Sequence, residues 1–380
     1  MTLRLGIIGL GNIGLQHVEH ILSGAIEGCR ITALCARGLS PLAERLNVSQ
    51  YSDYRELVDS QVCDALIVAT PTHAHFNIGC YALERGLHVL MEKPIGLSVF
   101  EGERMLALVE PEQVFGLMLN QRVDPVFVLM KSAIDKDLLG PVQRVSWTMT
   151  NWFRPEVYFQ TSDWRATWFG EGGGLLVNQC IHNLDILQWI CGMPKRIQGF
   201  CGFGKYHDIE VEDEAIAVFE YGNGSVATFV GSTGESPGVN RFEIVGDRGM
   251  LSYDGKRLLH LENDPSTSQF SQTTMDMFGQ PDVCTYDLSP CSSTDQHTAI
   301  LQNFVNAVNL GEHLIAPAEE GLRSLAIANA ILLSAWSGER LEMPIDSTRF
   351  HKALDLRRRQ SRLREKVEVA VNIDMEKSYR

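Results

Sequence analysis

The sequence predicts an α/β fold, for three reasons. The apolar run Leu5–Gly9 leads into closely spaced glycines and then a helical pattern, which is the order strand, tight loop, helix. Further apolar runs and helical patterns alternate through the first part of the chain, as expected for a doubly wound parallel sheet. After residue 123 the pattern changes to strand-like runs of alternating polarity, such as Val142–Met149, Ala215–Glu220 and Ser225–Gly231.

The composition limits the partners of the protein. Its 380 residues are 44% hydrophobic and 21% charged, which is ordinary for a globular protein, and the length predicts two domains. The net charge of −14 argues against a nucleic-acid partner, and the basic run 356–362 is more typical of a solvated helix face. No apolar run approaches the roughly 18 residues of a membrane span, so we expect no membrane partner.

The cysteines predict a reducing compartment. There are nine, an odd number, and no two of them form a C-x-x-C pair. The N-terminus passes directly into an apolar strand, without an export-type cleavage site. We therefore expect free thiols and a cytoplasmic location.

The glycine loop predicts a dinucleotide site. Gly9, Gly11 and Gly14 follow the first strand and open a helix with the spacing G-x-G-x-x-G. Such glycines permit a tight turn and let the backbone approach a pyrophosphate, while free N–H groups at the helix start favour its charge. We therefore expect NAD or NADP here, with Asn12 and Ile13 among the contacts.

The end of the second strand bears on the choice between NAD and NADP. An NAD enzyme usually has an Asp or Glu there, which binds the ribose 2′-hydroxyl. In the segment Leu34–Ser40 this acid is missing, and Arg37 is the first charged residue. Because an arginine suits a 2′-phosphate, the sequence favours NADP. The alternative is that Arg37 stacks on the adenine and discriminates little.

Two later loops would share the carboxyl edge of the sheet with the cofactor. One follows the strand that ends at Thr70, and the other contains Glu92–Pro94. Lys93 would project beside the cofactor, although an ordinary surface lysine is the alternative. His73 and His75 could suggest a metal site, but no third ligand of matching context is evident, so we expect no metal.

A polar stripe is predicted on a helix that follows three glycines at 172–174. The segment Leu175–Trp189 is apolar and periodic, and Asn178, His182 and Asp185 are spaced to share one face of a helix. Such a stripe is costly to bury without partners, which favours a functional site. The alternative is a histidine satisfied within the core.

Taken together, these segments resemble the Gfo/Idh/MocA oxidoreductase family. The resemblance is carried by Gly9–Gly14, Thr70–His75, Glu92–Ser98, Asn120–Arg122, Trp164-Arg165, Gly172–Trp189, Asn240–Gly249 and Pro317–Ser337. It implies a Rossmann domain, here 1–123, followed by an α/β domain, here 124–380, that is built on a large and mostly antiparallel open sheet. The open face of that sheet often forms an oligomer interface, so we expect a homodimer or homotetramer.

The resemblance also implies catalytic residues. In dehydrogenases of the family, the Lys of Glu-Lys-Pro, a carboxylate, and a histidine four residues after it surround the reacting hydroxyl. The matching positions are Lys93, Asn178 and His182. Asn178 departs from the usual aspartate and cannot take a proton, so the base is either His182 or Lys93. His182 is the first choice because its ordinary pKa suits the role.

Further contacts are expected on the segments that carry the resemblance and on the segment Asn151–Arg154 upstream of Trp164. For the cofactor these are Thr70, Pro71, His75, Glu92, Lys93, Gln121, Trp164 and Arg165. For the substrate they are Lys93, Arg122, Trp152, Arg154, Asn178 and His182. Aromatic rings with arginines suit a sugar, which offers apolar CH faces and hydroxyls. The alternative is that Trp152, Trp164 and Trp168 belong to the core.

The resulting expectation is an NAD(P)-dependent dehydrogenase that oxidises a ring secondary hydroxyl of a sugar, glycoside, nucleotide sugar or cyclic polyol. Two other classes remain. An NAD-dependent glycosidase would oxidise its sugar only transiently and release a hydrolysed product. A non-catalytic sensor would be expected to lose the lysine or the histidine, whereas Lys93 and His182 are both present.

Overall fold

The structure is a computed structural model and describes residues 2–38 and 41–361. These residues form two compact units. Among the described residues, the first unit comprises those of 2–123, 169–172 and 294–326, and the second comprises 124–168, 173–293 and 327–361. Two segments of the predicted second domain, 169–172 and 294–326, thus lie in the first unit. The end of that predicted domain, 362–380, lies outside the described residues.

The strands of the described chain are β1 (Leu3–Ile8), β2 (Cys29–Cys35), β3 (Ser49–Tyr51), β4 (Ala65–Val68), β5 (His88–Met91), β6 (Phe115–Leu117), β7 (Val142–Met149), β8 (Arg196–Phe203), β9 (Glu212–Glu220), β10 (Val226–Ser232), β11 (Asn240–Gly246), β12 (Gly249–Tyr253), β13 (Leu258–Asp264), β14 (Asp282–Asp287) and β15 (Leu341–Glu342).

The α-helices are α1 (Asn12–Leu22), α2 (Pro41–Leu46), α3 (Tyr54–Asp59), α4 (Thr72–Leu83), α5 (Val99–Leu106), α6 (Pro125–Asp135), α7 (Glu156–Gln160), α8 (Ile181–Cys191), α9 (Thr267–Thr273), α10 (Gln296–Leu310), α11 (Ala318–Ser337) and α12 (Ser347–Gln360), with a 3-10 helix at Asn120–Val123. The predicted basic run continues the last turns of α12, and Arg362 at its end lies outside the described residues. Within the described residues, no helix combines the length and apolarity needed to cross a membrane.

The first unit is a doubly wound parallel sheet. Its strand order is β3-β2-β1-β4-β5-β6, and every neighbouring pair is parallel. All four residues of β4 are buried, as expected for a strand covered by helices on both faces. The order is that of dinucleotide-binding sheets, in which the ligand lies outside the carboxyl ends of the strands where the winding reverses. Here that point lies between β1 and β4.

The second unit contains a nine-stranded sheet in the order β14-β13-β12-β11-β7-β10-β9-β8-β15. Among the described pairs only β7 and β10 run parallel, and the others are antiparallel. Burial alternates along β7, where Val145, Trp147 and Met149 are buried. Phe200 and Ile216 are exposed on β8 and β9, so one face of the sheet is partly open. The predicted α/β fold with a mostly antiparallel second sheet is confirmed.

One helix begins earlier than its apolar pattern indicates. The pattern predicts a helix from Asn77, with Pro71 to His75 in a loop, but α4 begins at Thr72. Pro71 precedes it with an extended ψ of 146° and no N–H that would need a partner. His73 and His75 therefore lie in the first turn of a helix.

Candidate active site

The glycine loop joins β1 to α1 in the first unit. Gly9 has a φ of +96°, and its N–H donates to the carbonyl oxygen of Cys35 at 2.9 Å. Gly11, which precedes α1, and Asn12, its first residue, are exposed, and no described side chain caps the start of the helix. Because the first turn of α1 also carries no acidic residue, its N–H groups are available to an anion.

Two buried polar atoms fit a nucleotide at the same edge of this sheet. Thr70 follows β4 and Gln121 follows β6, so both lie at carboxyl ends of parallel strands. Thr70 Oγ1 and Gln121 Oε1 are buried, and neither has a hydrogen-bond partner among the described residues. Since buried polar atoms are normally satisfied, a bound nucleotide suits both positions. Of the other predicted contacts, Ile13 and Pro71 are half-buried.

Arg37 lies two residues beyond the end of β2 and is exposed. This position suits a contact with the ribose end of a nucleotide bound along the sheet edge. Leu39 and Ser40, which complete the segment after β2, lie outside the described residues.

Glu92 is held by a histidine of α1. The Nε2 atom of His17, which is buried, lies 2.8 Å from Oε1 of Glu92. Burial by itself raises the pKa of the Glu92 carboxyl, but the hydrogen bond from His17 and the charges of His17, His297 and Lys93 outweigh it and lower that pKa. Sequence reasoning missed His17 and His297, because each looks like one more residue on an amphipathic helix.

His75 contacts the backbone of the turn that carries Lys93. Its ring is buried, with Nδ1 2.8 Å from the carbonyl oxygen of Pro94 and Nε2 2.9 Å from that of Thr70. Burial lowers the pKa of His75, and the neutral ring donates to one of these two oxygens. The imidazole thus contacts the backbone on both sides, which suits a role in positioning Lys93 better than direct cofactor binding.

Arg122 lies in the interior of the first unit. Its side chain is fully buried, and its guanidinium pairs with Glu320 and donates to the carbonyl oxygen of Ile315 at 3.1 Å. Breaking a buried ion pair is strongly destabilising. We therefore interpret Arg122 as a structural residue, and we propose no contact between it and the substrate.

The helix that carries His182 begins later than predicted. α8 starts at Ile181, so Asn178 lies in the turn before it and the prediction of one helix through both residues is wrong. The loop before this turn is held by Glu212, whose buried carboxylate accepts from the N–H groups of Gly174 and Leu176 at 2.9 and 3.0 Å. A Cβ on Gly174 would lie 2.3 Å from the carbonyl oxygen of Glu212, so only glycine allows this close approach.

Asn178 and His182 nevertheless stand out from their surroundings. Both are partly exposed, whereas every other residue from Glu171 to Gln188 is buried. Asp185, the third member of the predicted stripe, is buried and accepts from Gln188 Nε2 at 3.0 Å. The accessible part of the stripe is therefore the asparagine and the histidine, and the aspartate has a structural role.

Asp213 organises a neighbouring turn of the second unit, and sequence reasoning missed it. Its carboxylate accepts from the backbone N–H groups of Lys205, Tyr206 and His207 at 3.0, 2.7 and 3.1 Å. His207 Nε2 in turn lies 2.8 Å from the carbonyl oxygen of Arg154. The signal was the run Glu212–Glu214 at the start of an alternating strand, where an inward-facing charge is unusual.

The structure joins two groups of predicted contacts. Arg154, expected to contact substrate, and Arg165, expected to contact cofactor, both lie over the ring of Tyr158. Arg154 also lies over the ring of Trp152, and Arg165 over that of Trp164. Trp152 is buried, whereas the other four side chains are partly exposed. Trp168 is buried, as expected for a core residue.

Comparison with known proteins gives the family. The model described as "Oxidoreductase family, NAD-binding Rossmann fold" matches residues 3–121, and the model described as "GFO/IDH/MocA C-terminal domain" matches residues 127–252. Inositol 2-dehydrogenase 2 of Saccharopolyspora erythraea is 28% identical over 361 residues, covering 89% of this chain and 94% of that protein. Inositol 2-dehydrogenase of Rhizobium meliloti is 23% identical over 344 residues, covering 88% and 97%.

Solved structures share the fold over most of the chain. The WlbA dehydrogenase of Bordetella pertussis in complex with NADH and UDP-GlcNAcA has a TM-score of 0.76 at 23% identity, covering 91% of this chain and 100% of that one. Levoglucosan dehydrogenase in complex with NADH and levoglucosan has a TM-score of 0.73 at 18% identity, with coverage of 91% and 100%. The two family models together span most of both units, and the chain belongs to the Gfo/Idh/MocA family of oxidoreductases, with an NAD-binding Rossmann fold in its first unit.

Proposed function

We propose that this protein is an NAD(P)-dependent dehydrogenase that oxidises a secondary ring hydroxyl of a sugar, glycoside, nucleotide sugar or cyclic polyol. The observation that carries the proposal is the accessible pair Asn178 and His182 within an otherwise buried segment. Membership of an oxidoreductase family and the presence of Lys93 support it. Relatives named as inositol dehydrogenases and a nucleotide-sugar complex support the substrate range.

Each of the three residues has a distinct role in the proposal. A bound nicotinamide would supply the acceptor for the hydride of the carbinol carbon. The imidazole of His182 takes the proton of the hydroxyl, since its ordinary pKa is near neutral. The ammonium of Lys93 donates a hydrogen bond to the hydroxyl oxygen, which favours loss of that proton. The amide of Asn178 orients the same hydroxyl by donating or accepting.

We also propose a preference for NADP and an assembly through the second sheet. Arg37 is exposed beyond β2, in a segment without an acid for the 2′-hydroxyl. Phe200, Ile216 and Val226 have exposed fractions of 57%, 41% and 40%, so a dimer or tetramer would bury apolar side chains of this sheet. Analytical ultracentrifugation tests the assembly, and a monomer at micromolar concentration would contradict it. The cytoplasmic location remains a prediction.

The activity is tested with a substrate panel. Purified protein is incubated with NAD or NADP and a set of sugars, glycosides, inositols and nucleotide sugars, while nicotinamide absorbance is followed. We expect net reduction with at least one class, and a large loss of turnover in His182→Ala. The control His313→Ala alters an exposed histidine of the first unit and should keep wild-type turnover.

Two outcomes would overturn the proposal. Release of a hydrolysed sugar without net nicotinamide reduction would indicate a glycosidase. Binding of a sugar and a cofactor with no turnover across the whole panel would indicate a sensor. Wild-type turnover in His182→Ala would reassign the base to Lys93 or to another group.

A further inference from the structure

Two arginines of the second unit converge on one tyrosine. The guanidinium carbon of Arg154 lies 5.2 Å from the centroid of the Tyr158 ring, and that of Arg165 lies 4.7 Å from it. Arg165 also donates from a terminal nitrogen to the Tyr158 hydroxyl at 2.6 Å. We refer to Arg154, Tyr158 and Arg165 as the arginine cradle.

The cradle concentrates positive charge at a partly buried surface. Burial lowers the pKa of Arg154, and the nearby charge of Arg165 lowers it further, although Tyr158 acts in the opposite direction. Two like charges that share one ring repel each other, and this repulsion is stronger where water is partly excluded. An anion placed against both guanidinium groups removes the repulsion and gains charge-assisted hydrogen bonds.

The cradle is held in place by its neighbours. The backbone carbonyl of Arg154 lies 2.8 Å from Nε2 of His207, which Asp213 holds in turn. Ala166, directly after Arg165, is buried and has a φ of +53°, a conformation that alanine rarely adopts. Strain of this kind persists only where the surroundings fix the backbone, and it clusters at ligand sites.

The cradle also lies beside the proposed catalytic segment. Gln179 donates from Nε2 to the Tyr158 hydroxyl at 3.2 Å, and Gln179 directly follows Asn178. The ring of Trp152 lies 5.2 Å from the Arg154 guanidinium, and that of Trp164 lies 4.9 Å from the Arg165 guanidinium. Trp152 is buried, whereas Trp164 is partly exposed, so its indole ring can pack against the apolar CH face of a sugar. The guanidinium forks match a carboxylate or phosphate.

We propose that the arginine cradle binds a carboxylate or phosphate group of the substrate, so that the substrate is an acidic sugar and not a neutral one. The proposal rests on the dehydrogenase function proposed above and narrows its substrate class. A phosphate of the cofactor offers the same chemistry from a second source. The experiment therefore measures sugar and cofactor binding separately.

The test is direct binding by isothermal titration calorimetry to the full chain with saturating cofactor. The probes are glucose, glucuronate, glucose 6-phosphate and UDP-glucuronate. We expect wild type to bind at least one anionic probe more tightly than glucose, and Arg154→Gln and Arg165→Gln to weaken that binding about 10- to 100-fold, as for lost charged hydrogen bonds. Glucose binding should change less than about threefold.

Matched variants separate recognition from structure. Arg241→Gln removes an exposed arginine of β11 and should leave all four titrations unchanged. Arg154→Lys and Arg165→Lys keep the charge but lose the fork, so their affinities should lie between those of wild type and the Gln variants. A thermal unfolding curve for each variant shows that it is folded.

Three results would overturn the proposal. Wild type could bind all three anionic probes no more tightly than glucose. The Gln variants could lose glucose and anionic probes equally, which would give the cradle a structural role. They could instead weaken NADH or NADPH while leaving sugars unaffected, which would assign the cradle to a cofactor phosphate. Arg-dependent binding of an anionic sugar without turnover on any substrate would refute the dehydrogenase function while leaving the cradle intact.

Discussion

Two glycines of the loop between β1 and α1 should respond to the same substitution in opposite ways. A Cβ on Gly14 would lie 1.9 Å from the carbonyl oxygen of Gly9, whereas a Cβ on Gly11 would meet no described atom within 4 Å. Gly14 is therefore required by the packing of α1 against the end of β1. Gly11 leaves space on the side where the pyrophosphate of the cofactor would approach.

The magnitudes follow from these distances. A carbon–oxygen contact needs roughly 3.2 Å, so Gly14→Ala forces α1 to move by more than an ångström, and overpacking of this kind costs about 1–3 kcal/mol of unfolding free energy. That cost corresponds to a fall of roughly 2–4 °C in Tm per kcal/mol for a unit of this size. Gly11→Ala changes only a helix cap and should cost less than about 1 kcal/mol.

The assay combines thermal unfolding of the protein without cofactor and titration with NADH and NADPH. We expect Gly14→Ala to lower Tm, and Gly11→Ala to keep Tm while weakening cofactor binding at least tenfold. Gly222→Ala is the control, because a Cβ there also meets no described atom within 4 Å but the residue lies in a hairpin of the second unit. Wild-type cofactor affinity in Gly11→Ala would refute this placement of the pyrophosphate.

Three further predictions concern catalysis, cofactor choice and pH. Lys93→Ala should lower turnover by about 10²–10⁴-fold with little change in cofactor affinity. The control Lys256→Ala removes an exposed loop lysine and should keep wild-type turnover. Near-normal turnover in Lys93→Ala would make Lys93 an ordinary surface lysine. Ala36→Asp should shift the ratio of kcat/KM values towards NAD, because it supplies a partner for the 2′-hydroxyl, and equal or better wild-type kinetics with NAD would contradict the NADP preference. Burial lowers the pKa of His75 and His297, so the unfolded chain binds more protons than the folded one below the ordinary value of about 6.5. The free energy of unfolding should thus be highest above that pH and should fall as the pH is lowered through it. A urea midpoint that is constant from pH 8 to pH 5 would disprove this.

The parts of the fold that depend on local pattern could be predicted from the sequence. Val142–Met149 is a strand with the predicted bounds, because its polarity alternates and the alternation ends at a change of pattern. The glycine loop was identified from its spacing together with its place between a strand and a helix. The start of α4 was missed because Thr72 and His73 carry no apolar signal, although Pro71 marked the boundary.

Two features of the site depend on contacts between residues that are far apart in the sequence. The loop before Asn178 is held by Glu212, which accepts from the N–H groups of Gly174 and Leu176 and lies more than 30 residues further along the chain. Arg122 resembles a site residue in its motif, and only Glu320, far away in sequence, reveals the ion pair. No local pattern contains either partner.

Lys93 and Asn178 share one mode of support, in which a buried polar group contacts the backbone near each of them. His75 contacts the carbonyl oxygen next to Lys93, and Glu212 holds the N–H groups of the loop before Asn178. Both loop N–H groups donate to Oε1 of the buried Glu212 carboxylate, which offsets part of the cost of burying that charge and fixes the loop. A reacting group must be held to within a fraction of an ångström, which a solvent-exposed loop alone does not achieve. Glu212 fixes the loop, whereas Asn178 and His182 contact the reacting hydroxyl in the proposed mechanism. Changing Glu212 should therefore reduce turnover by displacing Asn178 and His182, even though Glu212 itself is inaccessible to substrate.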